Sequence, residues 1–239
     1  MTQNPKYKKK VLLKLSGEAL MGEGQFAHDY TVMKQIAQDV IQTINRGVQI
    51  SIVVGGGNIC RGSKVSTLGL DRVAADHMGM LSTVINAIAL QNIIEKMGVN
   101  TRVMSAIPID TICEPYIMRR AVRHLEKGRV VIFAAGTGNP FFTTDTVAVL
   151  RAVEMGCDVL LKGTQTDGVY DKDPAFNDDC VRYENISYKQ ILKDELKVMD
   201  MTAVALAAEH TLPIYVFSIQ RPGAIQEVVE EKGVYTRIT

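Results

Sequence analysis

The chain has 239 residues, 46% of them hydrophobic and 22% charged, with a formal net charge of +1. That length can bury a full core, and the balanced charge, with no basic helix, argues against a nucleic-acid surface. Its basic opening precedes too short an apolar run for a signal peptide, and we expect no membrane-spanning segment. Four scattered cysteines without a C-x-x-C motif are typical of reduced thiols, so a cytoplasmic protein is predicted: Cys60, Cys113, Cys157 and Cys180.

Short apolar runs that alternate with helical patterns predict the fold class. Most of these runs are nearly continuous, as expected of parallel strands covered by helices on both faces. The β-α-β-α order predicts one compact α/β domain with a doubly wound, mainly parallel sheet. The predicted strands are Lys10–Leu15, Gln49–Val54, Asn100–Met104, Arg129–Ala134, Asp158–Leu161 and Pro213–Phe217.

Three helices are predicted between these strands. Residues 29–46 have a helical apolar period that ends at Gly47, and residues 71–97 form a longer helix that ends at Gly98. The apolar positions of the longer helix are too broad for one core-facing stripe, which fits either a subunit interface or deep burial. The third helix, residues 147–155, follows a possible cap at residues 143–145.

The loop at residues 136–145, Gly-Thr-Gly-Asn-Pro-Phe-Phe-Thr-Thr-Asp, directly follows the fourth predicted strand. Open α/β sheets bind ligands at this edge, and the positive N-terminus of the next helix suits an anion. An ordinary turn explains one glycine and one cap, but not the adjacent Phe141 and Phe142. The pattern therefore favours a ligand-binding loop.

Two lysines end apolar strands in the same context. Lys14 and Lys162 are each followed by a glycine and a hydroxyl residue within three positions. One such lysine is typical of a snorkelling surface residue. Two ammonium groups that meet at one sheet edge favour a bound polyanion, because uncompensated charge there is costly.

Two further turns are candidate nucleotide contacts. Gly55–Gly57 follows the second strand, and three residues without side chains favour a close approach to their backbone N–H groups. Arg61 adds a planar fork that matches phosphate oxygens. Tyr170 offers a flat face for a base and Asp173 an acceptor for ribose hydroxyls, although an exposed turn explains that segment equally well.

Other patterns are rejected. Gly22–Ala27 fits G-x-G-x-x-A but lies several residues past the strand, so it is not a dinucleotide fingerprint. The chain has no G-x-x-x-x-G-K-[ST] motif, which excludes a P-loop kinase. The four histidines lack metal-ligand spacing.

Together these elements resemble the amino acid kinase superfamily and, within it, the bacterial uridylate kinases. The motifs are KLSGEAL at 14–20, GGGN at 55–58, DHMGM at 76–80, SAIP at 105–108, GTGNPFFTTD at 136–145, DGVY and DP near 167–174, and ELKVMD at 195–200. The resemblance implies a three-layer αβα sandwich, transfer of phosphate from ATP to UMP, and a homohexamer. It also implies inhibition by UTP and, in many members, activation by GTP.

The resemblance also implies roles for individual residues. ATP is assigned to Lys14, Leu15, Ser16, Gly17, Gly57, Arg61, Thr164, Tyr170 and Asp173. UMP is assigned to Gly56, Asp76, Thr137, Gly138, Asn139, Pro140, Phe141, Phe142, Thr143 and Thr144, with Asp76 on the ribose. Candidate effector positions are Gly22, Glu23, Gly24, Gln25, Phe26, Ala27, Arg102 and Arg129.

Phosphoryl transfer to a phosphate oxygen needs alignment and charge stabilisation rather than a strong base. Lys14, Lys162 and Arg61 are therefore predicted to be catalytic, with Asp200 orienting the two lysines. Asp145 is expected to order water around a nucleotide-held Mg²⁺, without direct protein ligands for the metal. Two alternatives remain: another phosphotransferase of the superfamily, or a non-catalytic nucleotide-binding regulator.

Overall fold

The computed structural model describes residues 7–22, 27–60 and 69–239. The strands are β1 (Lys9–Leu15), β2 (Val48–Val54), β3 (Thr101–Ser105), β4 (Glu114–Pro115), β5 (Val130–Ala134), β6 (Val159–Thr164), β7 (Val169–Tyr170), β8 (Arg182–Tyr183), β9 (Asn185–Ile186), β10 (Ile214–Ser218) and β11 (Thr236–Ile238). The helices are α1 (Tyr30–Asn45), α2 (Arg72–Lys96), α3 (Met118–Glu126), α4 (Thr144–Met155), α5 (Tyr188–Lys193), α6 (Met201–Glu209) and α7 (Ala224–Val229), and a 3-10 turn covers Gly17–Leu20.

One large sheet organises the described residues. Its strand order is β4-β3-β5-β2-β1-β6-β10-β11-β9, and every neighbouring pair is parallel except β10 with β11. All six predicted strands are present; their ends agree within one residue, close to the normal scatter of element boundaries, except that β6 continues three residues past its predicted end at Leu161. The strands that the sequence did not predict are two or three residues long, too short for a periodic signal.

Helices cover both faces of the sheet, which confirms the predicted three-layer α/β fold. One hydrophobic cluster lies on the face covered by α1, α2 and α7, and the other on the face covered by α3, α4 and α6. Alternate strand residues enter opposite clusters, as the two-residue period of a strand requires. In β1, Leu13 and Leu15 face the first cluster, whereas Leu12 faces the second.

The helix boundaries follow their capping residues. Asp29 and Asp71 accept hydrogen bonds from backbone N–H groups in the first turns of α1 and α2. The predicted stops are confirmed, since Gly47 and Gly98 have φ angles of +83° and +90° just beyond the two helices. Thr143, one of the predicted caps, begins α4 by accepting from the Asp145 N–H.

The long helix α2 reaches the length of a membrane span, which we did not expect from the sequence. With 25 residues and a mean hydropathy of 1.3 in its most apolar window, it meets the length and composition of a membrane-spanning helix. The core helix of a globular fold meets the same criteria, and α2 packs on α1, β3 and β5. Its remaining apolar side chains, Val73, Met78, Leu81 and Ile85, are 40–50% exposed.

Candidate active site

The two predicted lysines lie side by side at the carboxyl ends of adjacent strands. Lys14 on β1 is the register partner of Lys162 on β6. Lys14 is two residues after Leu12 and Lys162 two after Leu160, and both leucines belong to the α4-side cluster. Because side chains two apart share a face, both lysines point towards α4, and each side chain is only 9% exposed.

Asp145, in the first turn of α4, bridges the two ammonium groups. Its Oδ1 lies 2.8 Å from Lys14 Nζ and its Oδ2 lies 2.6 Å from Lys162 Nζ. Oδ1 is buried, and its contact with the Lys14 ammonium is an ion pair. Lys162 Nζ donates a second bond, of 2.6 Å, to the carbonyl oxygen of Val198.

Burial and charge shape the titration of this cluster. Burial raises the pKa of Asp145, but Lys14 and Lys162 outweigh it and bring the pKa to about 2. Burial lowers the pKa of Lys162 to about 8, although the Asp145 carboxylate opposes that fall. Near neutral pH the cluster therefore holds an ionised carboxylate beside a lysine that loses its proton in mildly alkaline solution.

Asp200 is predicted to orient the two lysines, but the carboxylate in direct contact with both ammonium groups is that of Asp145. Asp200 begins α6, and its Oδ1 accepts from Ala203 N and from Thr146 Oγ1 at 2.8 Å. Its Oδ2 accepts from Thr143 Oγ1 at 2.5 Å. Asp200 thus links the N-termini of α6 and α4. Any effect of these contacts on the lysines is indirect, through the position of the helix that carries Asp145.

The three consecutive glycines after β2 have different surroundings. A Cβ atom on Gly55 would lie 2.8 Å from Gly17 N, and one on Gly56 would lie 2.7 Å from Gly79 O in α2. Among the described residues, the atom nearest to a Cβ on Gly57 would be Glu18 Oε1, at 3.6 Å. Packing within the described part of the chain therefore explains Gly55 and Gly56 but not Gly57.

This difference predicts opposite effects of two alanine substitutions. Gly56→Ala should lower the free energy of unfolding by about 1–3 kcal/mol, the usual cost of overpacking. Gly57→Ala should leave stability unchanged and weaken nucleotide binding, because among the described residues its new methyl group meets only Glu18 Oε1, at an ordinary contact distance of 3.6 Å. Thermal unfolding and nucleotide titration of both variants test this, and equal stability losses would contradict it.

The predicted ligand loop lines a cavity of about 270 Å³ between β5, α2 and the glycine turn. Gly136 and Gly138 have positive φ angles, +62° and +81°, which glycine adopts without strain. Ala135 and Phe141 also have positive φ angles, a strain that is often found at binding sites. The lining residues are Gly56, Gly57, Cys60, Ala75, Asp76, Gly79, Met80, Thr83, Gly136, Thr137, Asn139, Phe142, Thr143 and Thr144.

Most of the residues predicted for UMP line this cavity. Gly138, Pro140 and Phe141 do not, and Phe141 is 65% exposed. Asp76 already has partners, since it pairs with Arg72 Nε at 2.9 Å and accepts from Phe141 N at 2.8 Å. A ribose at Asp76 would share or replace those two contacts.

The residues predicted to bind ATP extend from the lysine cluster to β7 and the turn after it. Ser16 caps the 3-10 turn, where its Oγ accepts from Ala19 N at 3.2 Å. Thr164 ends β6, and Tyr170 on β7 donates to Asp167 Oδ1 at 2.6 Å, which raises its pKa to about 12. Asp173 lies in the following turn and accepts from Ala175 N. Binding of the adenine and ribose by these last residues stays a prediction.

A sequence profile of the amino acid kinase family matches residues 9–218. The chain belongs to the amino acid kinase family. It is 59% identical to uridylate kinases of Rickettsia bellii and Rickettsia massiliae, over 100% and 96% of this chain and 99% and 95% of theirs. The family and the resemblance to uridylate kinases predicted from the motifs are thereby confirmed.

Solved structures within the amino acid kinase family agree. UMP kinase from Bacillus anthracis superposes with a TM-score of 0.94 at 39% identity, covering 97% of this chain and 96% of that one. UMP kinase from Ureaplasma parvum gives 0.93 at 40% identity, covering 97% and 99%. Uridylate kinase from Archaeoglobus fulgidus gives 0.75 at 26% identity, covering 97% and 100%.

In this member of the amino acid kinase family, the candidate effector arginines already have partners. Arg102 lies 3.1 Å from Glu95 and 3.7 Å from Glu114, beside a cavity of about 380 Å³. Arg129 Nη1 lies 3.0 Å from His124 Nδ1. An effector phosphate at Arg102 would share the guanidinium with two carboxylates or replace them. Two of the other effector candidates, Gly22 and Ala27, lie inside the described residues. Outside them lie the effector candidates Glu23, Gly24, Gln25 and Phe26, and also Arg61, which is predicted to be catalytic.

Sequence reasoning missed a set of α2 residues that contact the site. Gly79, Thr83 and Asn86 follow one another at helical spacing on one face of α2. Gly79 lies against Gly56, Thr83 Oγ1 accepts from Ala135 N at 2.8 Å, and Asn86 binds the glycine turn. Small and polar residues within an otherwise apolar helix were the available signal.

Proposed function

We propose that this protein is a UMP kinase, which reversibly transfers the γ-phosphoryl group of ATP to UMP in de novo pyrimidine nucleotide biosynthesis. The observation that carries the proposal is the buried Lys14–Asp145–Lys162 cluster at the sheet edge. Asp145 directly follows Thr144, which lines the cavity, so the cluster and the cavity are adjacent along α4. The similarity to uridylate kinases supports the choice of acceptor.

The proposed reaction is an in-line displacement. A phosphate oxygen of UMP attacks the γ-phosphorus, the bond to the β,γ-bridging oxygen breaks, and ADP leaves with that electron pair. The acceptor oxygen is already anionic, so the chain needs no strong base. Lys14 and Lys162 stabilise the charge on the transferred group, and the Gly57 N–H is proposed to hold a phosphate oxygen.

Mg²⁺ is part of this proposal as a nucleotide-bound ion. In the described residues no cluster of three or more His, Cys, Asp or Glu side chains is arranged to hold a metal. We propose that the ion keeps its waters and that the Asp145 carboxylate, whose Oδ1 is buried 2.8 Å from Lys14 Nζ, accepts a hydrogen bond from one of them. The ion would neutralise phosphate charge.

Uracil recognition is proposed for Thr137, Asn139 and Thr144. All three line the cavity, and Thr137 Oγ1 accepts from Asn139 N at 3.1 Å, which shapes the turn. Hydroxyl and amide groups can pair with the carbonyl and N–H edge of uracil.

Replacing each of these three residues by alanine should lower the preference for UMP, measured as kcat/KM with UMP divided by kcat/KM with CMP. A site built to hydrogen-bond one partner penalises another by leaving buried polar groups unpaired. The measurement is ADP release with each acceptor. An unchanged ratio in all three variants would remove these residues from base selection.

We also propose a homohexamer in the cytoplasm that UTP inhibits and GTP activates. The exposed apolar side chains of α2 support association between copies. The contacts of Arg102 with Glu95 and Glu114 do not favour a GTP phosphate at that position.

One assay tests the central proposal: ADP release from ATP with UMP, CMP, aspartate, glutamate or carbamate as the acceptor. UMP-dependent release supports it. Release only with an amino acid or carbamate would indicate another reaction of the family, and nucleotide binding without release would indicate a regulator.

A further inference from the structure

We propose that Asn86 on α2 is a positioning residue for phosphoryl transfer, because its side-chain amide fixes the glycine turn that ends β2, the strand paired with the Lys14 strand. The inference rests on the proposed kinase function and names a residue that neither the motifs nor the predicted roles include.

Asn86 uses both ends of its amide. Its Nδ2 donates to the carbonyl oxygen of Gly55 at 2.6 Å and to Asn58 Oδ1 at 2.7 Å. Its Oδ1 accepts from Asn58 Nδ2 at 3.0 Å and lies 2.6 Å from His28 Nε2. The residue is fully buried, and four partners match the full capacity of a carboxamide.

These contacts surround the glycine turn. Asn86 holds Gly55 at its start and Asn58 at its end, so the two residues that flank Gly56 and Gly57 are fixed by one side chain. Gly17 also packs closely on the turn, since a Cβ atom there would lie 2.5 Å from Asn58 Oδ1 and 2.6 Å from Gly57 N. The Gly57 N–H is therefore fixed relative to Lys14, three residues before Gly17.

The same network extends to the segment before α1. Asn58 Nδ2 also donates to the Ala27 carbonyl oxygen at 2.5 Å, and His28 reaches Asn86 directly. Ala27 and His28 are thus joined to the phosphate-binding turn through two asparagine side chains. A displacement of this segment would be transmitted to Gly57.

Only a carboxamide satisfies this arrangement. Aspartate has nearly the same shape but no donors, so Asn86→Asp would place carboxylate oxygens against the Gly55 carbonyl and Asn58 Oδ1. A buried amide can, however, serve stability alone. The experiment must separate those two roles.

The matched control is Gln49→Leu. Gln49 is a buried amide on β2, the strand that leads into the turn, and its Nε2 donates to the Leu125 carbonyl oxygen at 3.0 Å. It lies at the other end of the strand, away from the turn. Both substitutions remove a buried amide–carbonyl bond, but only Asn86→Asp should alter the site.

We expect Asn86→Asp to lower kcat by about 10- to 100-fold, the scale of a misplaced catalytic group, with Gln49→Leu unchanged. Circular dichroism and thermal unfolding establish the folded fraction of each variant. Equal kcat values for the two variants would overturn the proposal. If Asn86→Asp does not fold, kcat of Asn58→Ala is measured instead, because Asn58 is less buried. A lowered kcat is expected, and an unchanged kcat would contradict the inference.

Amide hydrogen exchange separates this inference from the proposed function. Loss of the Asn86 contacts should speed exchange at residues 55–58 and 27–28 relative to Gln49→Leu, whatever the reaction. Inactive wild-type protein would refute the kinase function while this measurement still decided the network. Unchanged exchange at both segments would overturn the positioning role.

Discussion

Lys14→Ala should lower kcat for UDP formation by about 10²–10³-fold, the usual effect of removing one preorganised electrostatic group. The Lys14 ammonium is nearly buried and lies 2.8 Å from Asp145, so bulk water cannot replace its charge at the transferred phosphoryl group. Lys162→Ala should have a loss of the same order, because Lys162 is the register partner of Lys14. Initial rates of ADP release at saturating ATP and UMP measure both.

Lys10→Ala provides the control on the same strand. Lys10 Nζ donates to the Met155 carbonyl oxygen at 2.9 Å, at the opposite edge of the sheet from Lys14. Its removal should leave kcat unchanged. Near-normal turnover in Lys14→Ala, or an equal loss in Lys10→Ala, would contradict a catalytic charge at Lys14.

The convergence of the two lysines was predictable because it depends on strand periodicity and parallel pairing. Each lysine ends an apolar strand, and parallel strands end at the same sheet edge. That Lys14 and Lys162 are direct neighbours depends on the pairing of β1 with β6. Strand order involves residues almost 150 positions apart, and no local pattern contains it.

The partner of the lysines was not predictable for the same reason. Asp145 and Asp200 both lie at helix N-termini, so the sequence offers two equivalent candidates. Which carboxylate reaches the lysines depends on where α4 and α6 pack on the sheet. Asp200 instead accepts hydrogen bonds from Thr143 and Thr146, and so supports α4.

The glycine turn illustrates an ambiguity within a correct prediction. Three glycines in sequence indicated that something approaches their backbone closely. For Gly55 and Gly56 the approaching groups belong to the protein itself, namely Gly17 and α2. Sequence shows that a side chain is absent, but only packing shows whether a ligand or another part of the chain occupies the space.

Asp145→Asn should lower kcat by about 10²-fold, because both lysines lose the carboxylate that holds them in place. It should also change the pH dependence of kcat/KM, which reports the free enzyme. In the wild type, activity should fall as the pH rises through the Lys162 pKa of about 8. The Asp145 charge raises that pKa, so its removal lowers it, and the alkaline fall should move to lower pH in the variant.

The deficit of Asp145→Asn should therefore grow as the pH is raised from 6 towards the Lys162 pKa of about 8. Asp158→Asn is the control, because Asp158 Oδ2 accepts from the Lys10 backbone N–H at 2.7 Å on the opposite edge of the sheet. That variant should keep the wild-type profile. A pH-independent deficit in Asp145→Asn would mean that Asp145 positions the lysines without setting their charge, whereas a shift to higher pH would show that Asp145 does not stabilise the protonated form of Lys162.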